Sequence, residues 1–195
     1  MDARRLLAAL AFAAAALLPA HAADLSRPMM LVASPELNDP VYGQSVVLAA
    51  PIGEDRHIGF IVNRPTESRL GQLFPDDAPS QKVPGPVFFG GPTDANKLFA
   101  IVERPESPGG LSLQLAANLF FTFDRATVDH IIRGDPQHAR FFTGLVIWRT
   151  GELEQEIHRG LWYLAKPDAS AVLRESTGGL WEELLERSRA AAGSI

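Results

Sequence analysis

Apolar residues in this chain fall mostly into short blocks bounded by proline, glycine and aspartate, the pattern of strands and turns, with helical spacing in only a few places. Met29–Ala33 and Ser45–Ala50 read as two strands joined by an ordered loop that carries Pro35, Asp39-Pro40 and Gly43. His57–Asn63 is a third strand, stopped by Pro65, after which Ser68 offers an N-cap for a short helix running to Phe74. A polar, proline-rich loop spans Asp76–Pro86. Val87–Phe89 then leads as a strand into Gly90-Gly91-Pro92, Leu98–Val102 is the next, and Leu111–Leu115 and Leu119–Phe123 follow at hairpin-like distance. Asp124 is placed to cap a helix whose Val128, Ile131 and Ile132 recur at helical spacing.

Phe141–Trp148 is the most hydrophobic segment of the domain and reads as a central strand buried on both faces, closed by Gly151. Glu152–His158 reads as a helix, Leu161–Ala165 as a strand and Asp168 as the cap of a further short helix. The chain ends in an amphipathic helix, about residues 180–192, that turns Leu180, Trp181, Leu184 and Leu185 inward. Strands grouped in runs, with helices inserted irregularly, predict an α+β fold: a single domain over 23–195 with a mixed, largely antiparallel sheet flanked by helices.

The first residues follow a different pattern. Arg4 and Arg5, the apolar run Leu6–Leu18 and Ala20-His21-Ala22 have the order of a secretory signal peptide over residues 1–22, with cleavage between Ala22 and Ala23. A membrane span needs about 20 apolar residues, which this run does not reach, so no retained membrane anchor is expected. The location expected is periplasmic or secreted. The competing reading is a true start at Met29 or Met30, which would leave a cytoplasmic protein.

Charge narrows the partners. The chain carries −5 overall and the leader +1 (Asp2 against Arg4 and Arg5), so the remainder stands at −6. Its only lysines, Lys82, Lys97 and Lys166, lie far apart, and nucleic acid is therefore not an expected partner. Without cysteine there are no disulfides, thiolate metal sites or cysteine nucleophiles.

Several motifs carry a family resemblance. Pro35-Glu36-Leu37-Asn38-Asp39-Pro40 with Ser45-Val46, then Gly59-Phe60-Ile61-Val62-Asn63-Arg64-Pro65, then Val87-Phe88-Phe89-Gly90-Gly91-Pro92, and finally Gly144, Trp148, Gly151, Leu153, Glu154, Glu156 and Trp162, resemble the successive signatures of the YqgE/AlgH family. The resemblance covers roughly residues 29–170. It implies a bacterial α+β domain with a mixed sheet, in a family whose biochemical activity is unsettled and some of whose members are described as transcriptional regulators linked to exopolysaccharide production. This chain departs from the pattern at Leu48-Ala49-Ala50, where the family often carries Cys and His. It departs again at Leu145, Val146, Ile147 and Arg149, where the family tends to have Tyr, Ala, Gly and Gly.

Candidate chemistry is sparse. Asn63-Arg64 places an amide and a guanidinium at a strand end, able to hold a carboxylate or phosphate, although a turn with Asn bonded to its own backbone accounts for the motif too. Gly90-Gly91-Pro92 could offer amides to an anion, but no lysine follows as a P-loop requires, and a tight strand-end turn explains it. Asp39 reads as a loop organiser. Ser45 lacks the second small residue of a nucleophile elbow, and His130 and His138 lack metal-ligand spacing. Glu152 and Glu156 share one helix face, Glu154 and His158 another, which a solvated helix explains. Trp148, Trp162 and Trp181 read as packing anchors, with a sugar platform the alternative.

The residues singled out for ligand or partner binding are Asp39, Asn63, Arg64, Gly90, Gly91, Pro92, Trp148 and Glu154. No catalytic residue, metal or cofactor is assigned. The expected function is a binding or regulatory module recognising a protein or a small anionic or carbohydrate ligand. A hydrolase or transferase acting on an envelope substrate is the alternative, and a cytosolic regulator the third. If one surface carries function, the Asn63-Arg64 turn, the Gly90-Gly91-Pro92 turn and the helix start near Glu154 should converge.

Overall fold

The computed structural model describes residues 24–192, so the leader and the Ala22-Ala23 cleavage site lie outside the described residues. Among the described residues nine strands form one sheet: β1 (Met29–Ala33), β2 (Val46–Pro51), β3 (His57–Ile61), β4 (Phe88–Phe89), β5 (Thr93–Glu103), β6 (Ser112–Ala116), β7 (Leu119–Thr122), β8 (Ala139–Trp148) and β9 (Trp162–Ala165). Their spatial order is β6-β7-β5-β8-β3-β2-β1-β9. The short β4 runs parallel to β8, with Phe88 opposite Phe142, while the neighbours along the main path are antiparallel. The described residues also form five α-helices: α1 (Leu70–Leu73), α2 (Arg125–Gly134), α3 (Glu152–His158), α4 (Ala169–Leu173) and α5 (Leu180–Ala192). The α+β class expected from the strand grouping is the class the chain adopts.

The sheet curls, so that Met30, Val46 and Leu48 from one end share a core with Leu119 and Phe121 from the other. Inside it, Phe60 stacks at an angle on Phe121 and Phe142, with ring centroids 4.4 and 5.3 Å apart. Helices α4 and α5 close this inner core with Val172, Leu180, Leu184 and Leu185. Alternate residues turn to the outer face, where Leu31, Val47 and Ile61 pack with Leu153 of α3. At the other end Ala100, Val102 and Phe141 meet Val128, Ile131 and Ile132 of α2. Cover on both faces is why β1 and β3 are buried at every position and read as unbroken apolar runs instead of alternating ones.

Strand β8 changes sides midway. Phe142 and Leu145 both face the inner core although three positions apart, while Phe141 and Val146 face outward, a parity switch that requires an irregular residue between them. Gly144 supplies it, at φ +71°. The switch lets β8 pair first with β5 and then, through Val146, Ile147 and Trp148, with β3. It also corrects the expectation of a strand buried throughout, because Ile147 is left 45% exposed.

Most boundaries move by a residue or two, and a few differences have specific causes. The first helix is a single turn capped at Arg69 and not at Ser68, because the Gln72 side chain accepts the Arg69 amide at 2.8 Å while the Ser68 carbonyl is taken by Val87. The polar loop after it holds a 3-10 turn, Ser80–Lys82, fastened by the Asp77 carboxylate to the Ser80 amide and hydroxyl. Strand β5 starts earlier than its apolar run: Thr93 pairs with Leu145 and Leu98 with Thr143, so residues 94–97 bulge outward between them. Asp124 and Asp168 cap α2 and α4 as their positions predict, accepting the amides of Thr127 and of Ser170 and Ala171.

Candidate functional site

The Asn63-Arg64 turn at the end of β3 faces the 35–45 loop, and each side chain fastens it. Asn63 Oδ1 accepts the Val46 amide at 2.9 Å while its Nδ2 donates to the Gln44 carbonyl at 2.9 Å. The Arg64 guanidinium donates to the Pro40 carbonyl at 3.3 Å and to the Gly43 carbonyl at 2.9 Å. Within that loop Asp39 organises the bend as read from the sequence, accepting the Val41 and Tyr42 amides at 2.8 and 2.9 Å. Asn63 therefore bonds a distant strand and loop, where the turn reading from the sequence had its side chain bonded to its own backbone. Carbonyl partners hold Arg64 without neutralising it, and among the described residues no carboxylate lies within ion-pair distance of it.

Beside that turn lies a cleft of about 230 Å³. Asn63 and Arg64 form one wall with Gly43 and Gln44; Thr177, Trp181 and Glu182, from the segment entering α5 and its first turn, form the other. Trp181 is fixed there by its indole N–H, which donates to the Ala33 carbonyl at 2.8 Å.

Gly90-Gly91-Pro92 touches the same turn through backbone but has a packing task. The Phe89 amide donates to the Arg64 carbonyl, the Ile61 amide to the Gly90 carbonyl, and the Gly90 amide to the Thr143 carbonyl, at 2.9, 2.9 and 2.8 Å. Two main chains cross so closely that a Cβ on Gly90 would sit 2.3 Å from the Gly144 carbonyl oxygen, and one on Gly144 2.0 Å from that of Gly91. With both glycines buried and the Gly90 amide already bonded, the anion-cradle reading gives way to a strand crossing.

Glu154 and Trp148 do not join the cleft. Glu154 is exposed on α3 and is not among the residues lining it. Trp148 is 3% exposed and presents no face to a sugar. What α3 does offer is Glu156, whose carboxylate accepts the indole N–H of Trp148 at 2.9 Å and of Trp162 at 2.7 Å, the two rings meeting edge to face. Sequence spacing places Glu156 on a helix face but not between two indoles; a carboxylate flanked by two otherwise apolar-looking Trp residues was the available signal. Tyr42 is near enough for its phenol to be raised above its ordinary pKa, by burial first and then by the charges of Asp39 and Glu156.

Two buried cationic or ionisable side chains escaped the sequence reading. Arg140 is 7% exposed, lies 4.1 Å above the Phe88 ring and donates to the Val62 and Arg174 carbonyls; burial pulls its pKa down to about 10. His57 is 3% exposed, with Nε2 donating to the Leu25 carbonyl at 2.8 Å and Nδ1 buried without a partner among the described residues. His130, His138 and His158 are exposed, His138 beside Asp135, and the Ser45 hydroxyl donates to the Tyr42 carbonyl. Among the described residues, no three His, Asp or Glu side chains come together in a metal-ligating group.

Comparison with known proteins agrees with this architecture. The chain is 31% identical to the UPF0301 protein BF2109 of Bacteroides fragilis over 162 residues, covering 82% of this chain and 81% of that one. It is 29% identical to the UPF0301 protein SCO2948 of Streptomyces coelicolor, covering 82% and 85%. Its fold matches the crystal structure of DIP2367 from Corynebacterium diphtheriae with a TM-score of 0.69 at 23% identity, over 83% of this chain and 86% of that one. It also matches the solution structure of the AlgH protein from Pseudomonas aeruginosa, with a TM-score of 0.67 at 24% identity, over 88% and 90%. The AlgH-like family, DUF179, matches residues 30–192, and the chain belongs to that family.

Proposed function

We propose that this protein is an exported, non-catalytic binding module of the AlgH-like family whose cleft beside Arg64 takes a small anionic ligand, an acidic carbohydrate being the class that best suits its walls. The observation that carries the reading is the state of Arg64. Two carbonyls fix the guanidinium in place, and no carboxylate of the described residues pairs with it, so its charge is preorganised toward the cleft. Asn63, Gln44 and Thr177 add polar groups suited to hydroxyls, and Glu182 opposite disfavours a second negative charge.

Export is supported by the order of the leader's regions and by the role of Leu25, just past the cleavage site. Leu25 packs on the outer core and its carbonyl accepts His57 Nε2, so a chain started at Met29 or Met30 would lose the bonded partner of a buried imidazole. The negative charge of the domain and the scatter of its lysines weigh against gene control by DNA contact.

The test is a thermal-shift and calorimetric comparison of glucuronate, glucose and inorganic phosphate on protein recovered from the native envelope, with its N-terminus sequenced. Glucuronate should bind, glucose should bind at least about tenfold more weakly, and Arg64→Ala should abolish the difference while folding cooperatively. An N-terminus at Ala23 is expected. Equal binding of glucose and glucuronate, or binding indifferent to Arg64→Ala, would refute the site; recovery of the protein in a soluble cytosolic fraction with its N-terminus at Met1, Met29 or Met30 would refute export.

A further inference from the structure

We propose that a second cavity, beside α2 and sharing no residue with the Arg64 cleft, binds an amphipathic small-molecule carboxylate by its apolar chain, with the carboxylate held at a cationic rim. The cavity measures about 560 Å³, within the span of about 300–1,000 Å³ typical of small-molecule sites. Its floor is hydrocarbon from Leu98, Val128 and Ile132, the last two buried at 2% and 5% exposure.

At its mouth stand two aromatic rings that the fold leaves in water, Phe74 at 42% and Phe123 at 46% exposure. Among the described residues five large apolar side chains are exposed to 42% or more, and two of them border this one cavity, with Leu73 directly preceding Phe74. Exposed rings continuous with an apolar floor are the surface an acyl or aryl chain covers favourably.

The rim decides the sign of the head group. Lys97, Arg125 and Arg133 line the cavity against Asp77 and Asp129. Arg133 is engaged by Asp77 at 3.1 Å and Lys97 by Asp94, outside the cavity, at 3.0 Å. Arg125, at the first position of α2 with an exposed side chain, has no carboxylate within ion-pair distance among the described residues, and Asp129 one turn along α2 has no cation within it, so the lining carries three cations against two carboxylates. A neutral hydrocarbon would leave that guanidinium without a counter-ion, and a small oxyanion would leave the floor and both rings uncovered. A chain-bearing carboxylate satisfies both.

Decanoate, decanol and acetate titrated calorimetrically into the full domain test the proposal. Decanoate should bind one to one, decanol about tenfold more weakly, and acetate not measurably. Arg125→Glu should cost decanoate about tenfold and leave decanol unchanged; an acidic residue suits the first turn of a helix, so the variant should fold, as an unaltered thermal midpoint would verify. The double variant Phe74→Ser, Phe123→Ser should weaken both ligands, and Arg64→Ala neither, which separates this site from the first. Absence of saturable decanoate binding, equal binding of decanol, or binding indifferent to both sets of variants would overturn the proposal.

Discussion

Replacing Glu156 by alanine tests whether the carboxylate between two indoles is a structural keystone of α3. The substitution strands two N–H donors, on Trp148 at 3% and Trp162 at 6% exposure, which now bond Glu156 at 2.9 and 2.7 Å. An unmet buried donor costs about 1–3 kcal/mol, so two would cost about 2–6 kcal/mol. Glu156 itself is only partly buried, and water entering its place should recover part of that, leaving an expected loss of about 2–3 kcal/mol. Glu156→Gln keeps an acceptor oxygen without the charge and should lose about 1 kcal/mol. Urea denaturation followed by circular dichroism measures both, and a double-mutant cycle with Trp162→Phe isolates the pair. Glu156→Gln should also lower the Tyr42 pKa, read from phenolate absorbance in alkali, because it removes one of the negative charges that reinforce burial there. A Glu156→Ala loss under about 0.5 kcal/mol, the range of ordinary surface changes, would refute the reasoning. So would equal losses for Ala and Gln.

Gly144→Ala should destabilise by about 3 kcal/mol or more, or prevent folding, since its Cβ would lie 2.0 Å from a backbone oxygen, whereas Gly160→Ala, at the similar φ of +72° with open space around it, should cost only about 1–2 kcal/mol; equal effects would refute the crossing argument. The Asp168 carboxyl is held below the usual range by the Ser170 hydroxyl and then by the amides of Ser170 and Ala171, which outweigh burial, so its contribution is present above the unfolded pKa of about 3.9 and lost as pH falls through the lower folded value. Asp168→Asn retains a capping oxygen, and its stability deficit against the parent protein should therefore shrink between about pH 5 and pH 2; a constant deficit in urea midpoints would refute the assignment.

How much of the fold the sequence disclosed depended on whether its determinants were local. The caps at Asp124 and Asp168 and the bounds of Glu152–His158 follow from side chains within four residues, and all three are as expected. The excursion at 94–97 and the parity switch at Gly144 were not legible. Both arise from pairing partners distant in sequence, Thr93 with Leu145 and Leu98 with Thr143, and an isolated glycine inside an apolar run announces an irregularity without saying which face each neighbour takes.

The site divides along the same line. Asn63 and Arg64 stood out because polar groups at a strand end demand an explanation, and they do line a cleft, but their partners at Pro40, Gly43, Gln44 and Val46 could not be named from spacing alone. Gly90 and Gly91 stood out equally, and there the backbone crossing with Gly144 accounts for both residues, with no ligand needed. Conspicuous residue types thus flagged positions under constraint without separating recognition from close packing. The distinction proposed here rests on what remains unpaired after the fold's own bonds are assigned: Arg64 retains a charge with no counter-ion among the described residues, whereas the Gly90 amide is already spent on Thr143. By that criterion Arg125 ranks with Arg64: Phe123, Val128 and Ile132 lie beside it in sequence, but Phe74, Leu98 and Phe99, which complete the cavity, reach it only through the tertiary fold. The helix spacing puts a charge beside hydrocarbon, as on many solvated helices, and only the tertiary structure closes a cavity around them.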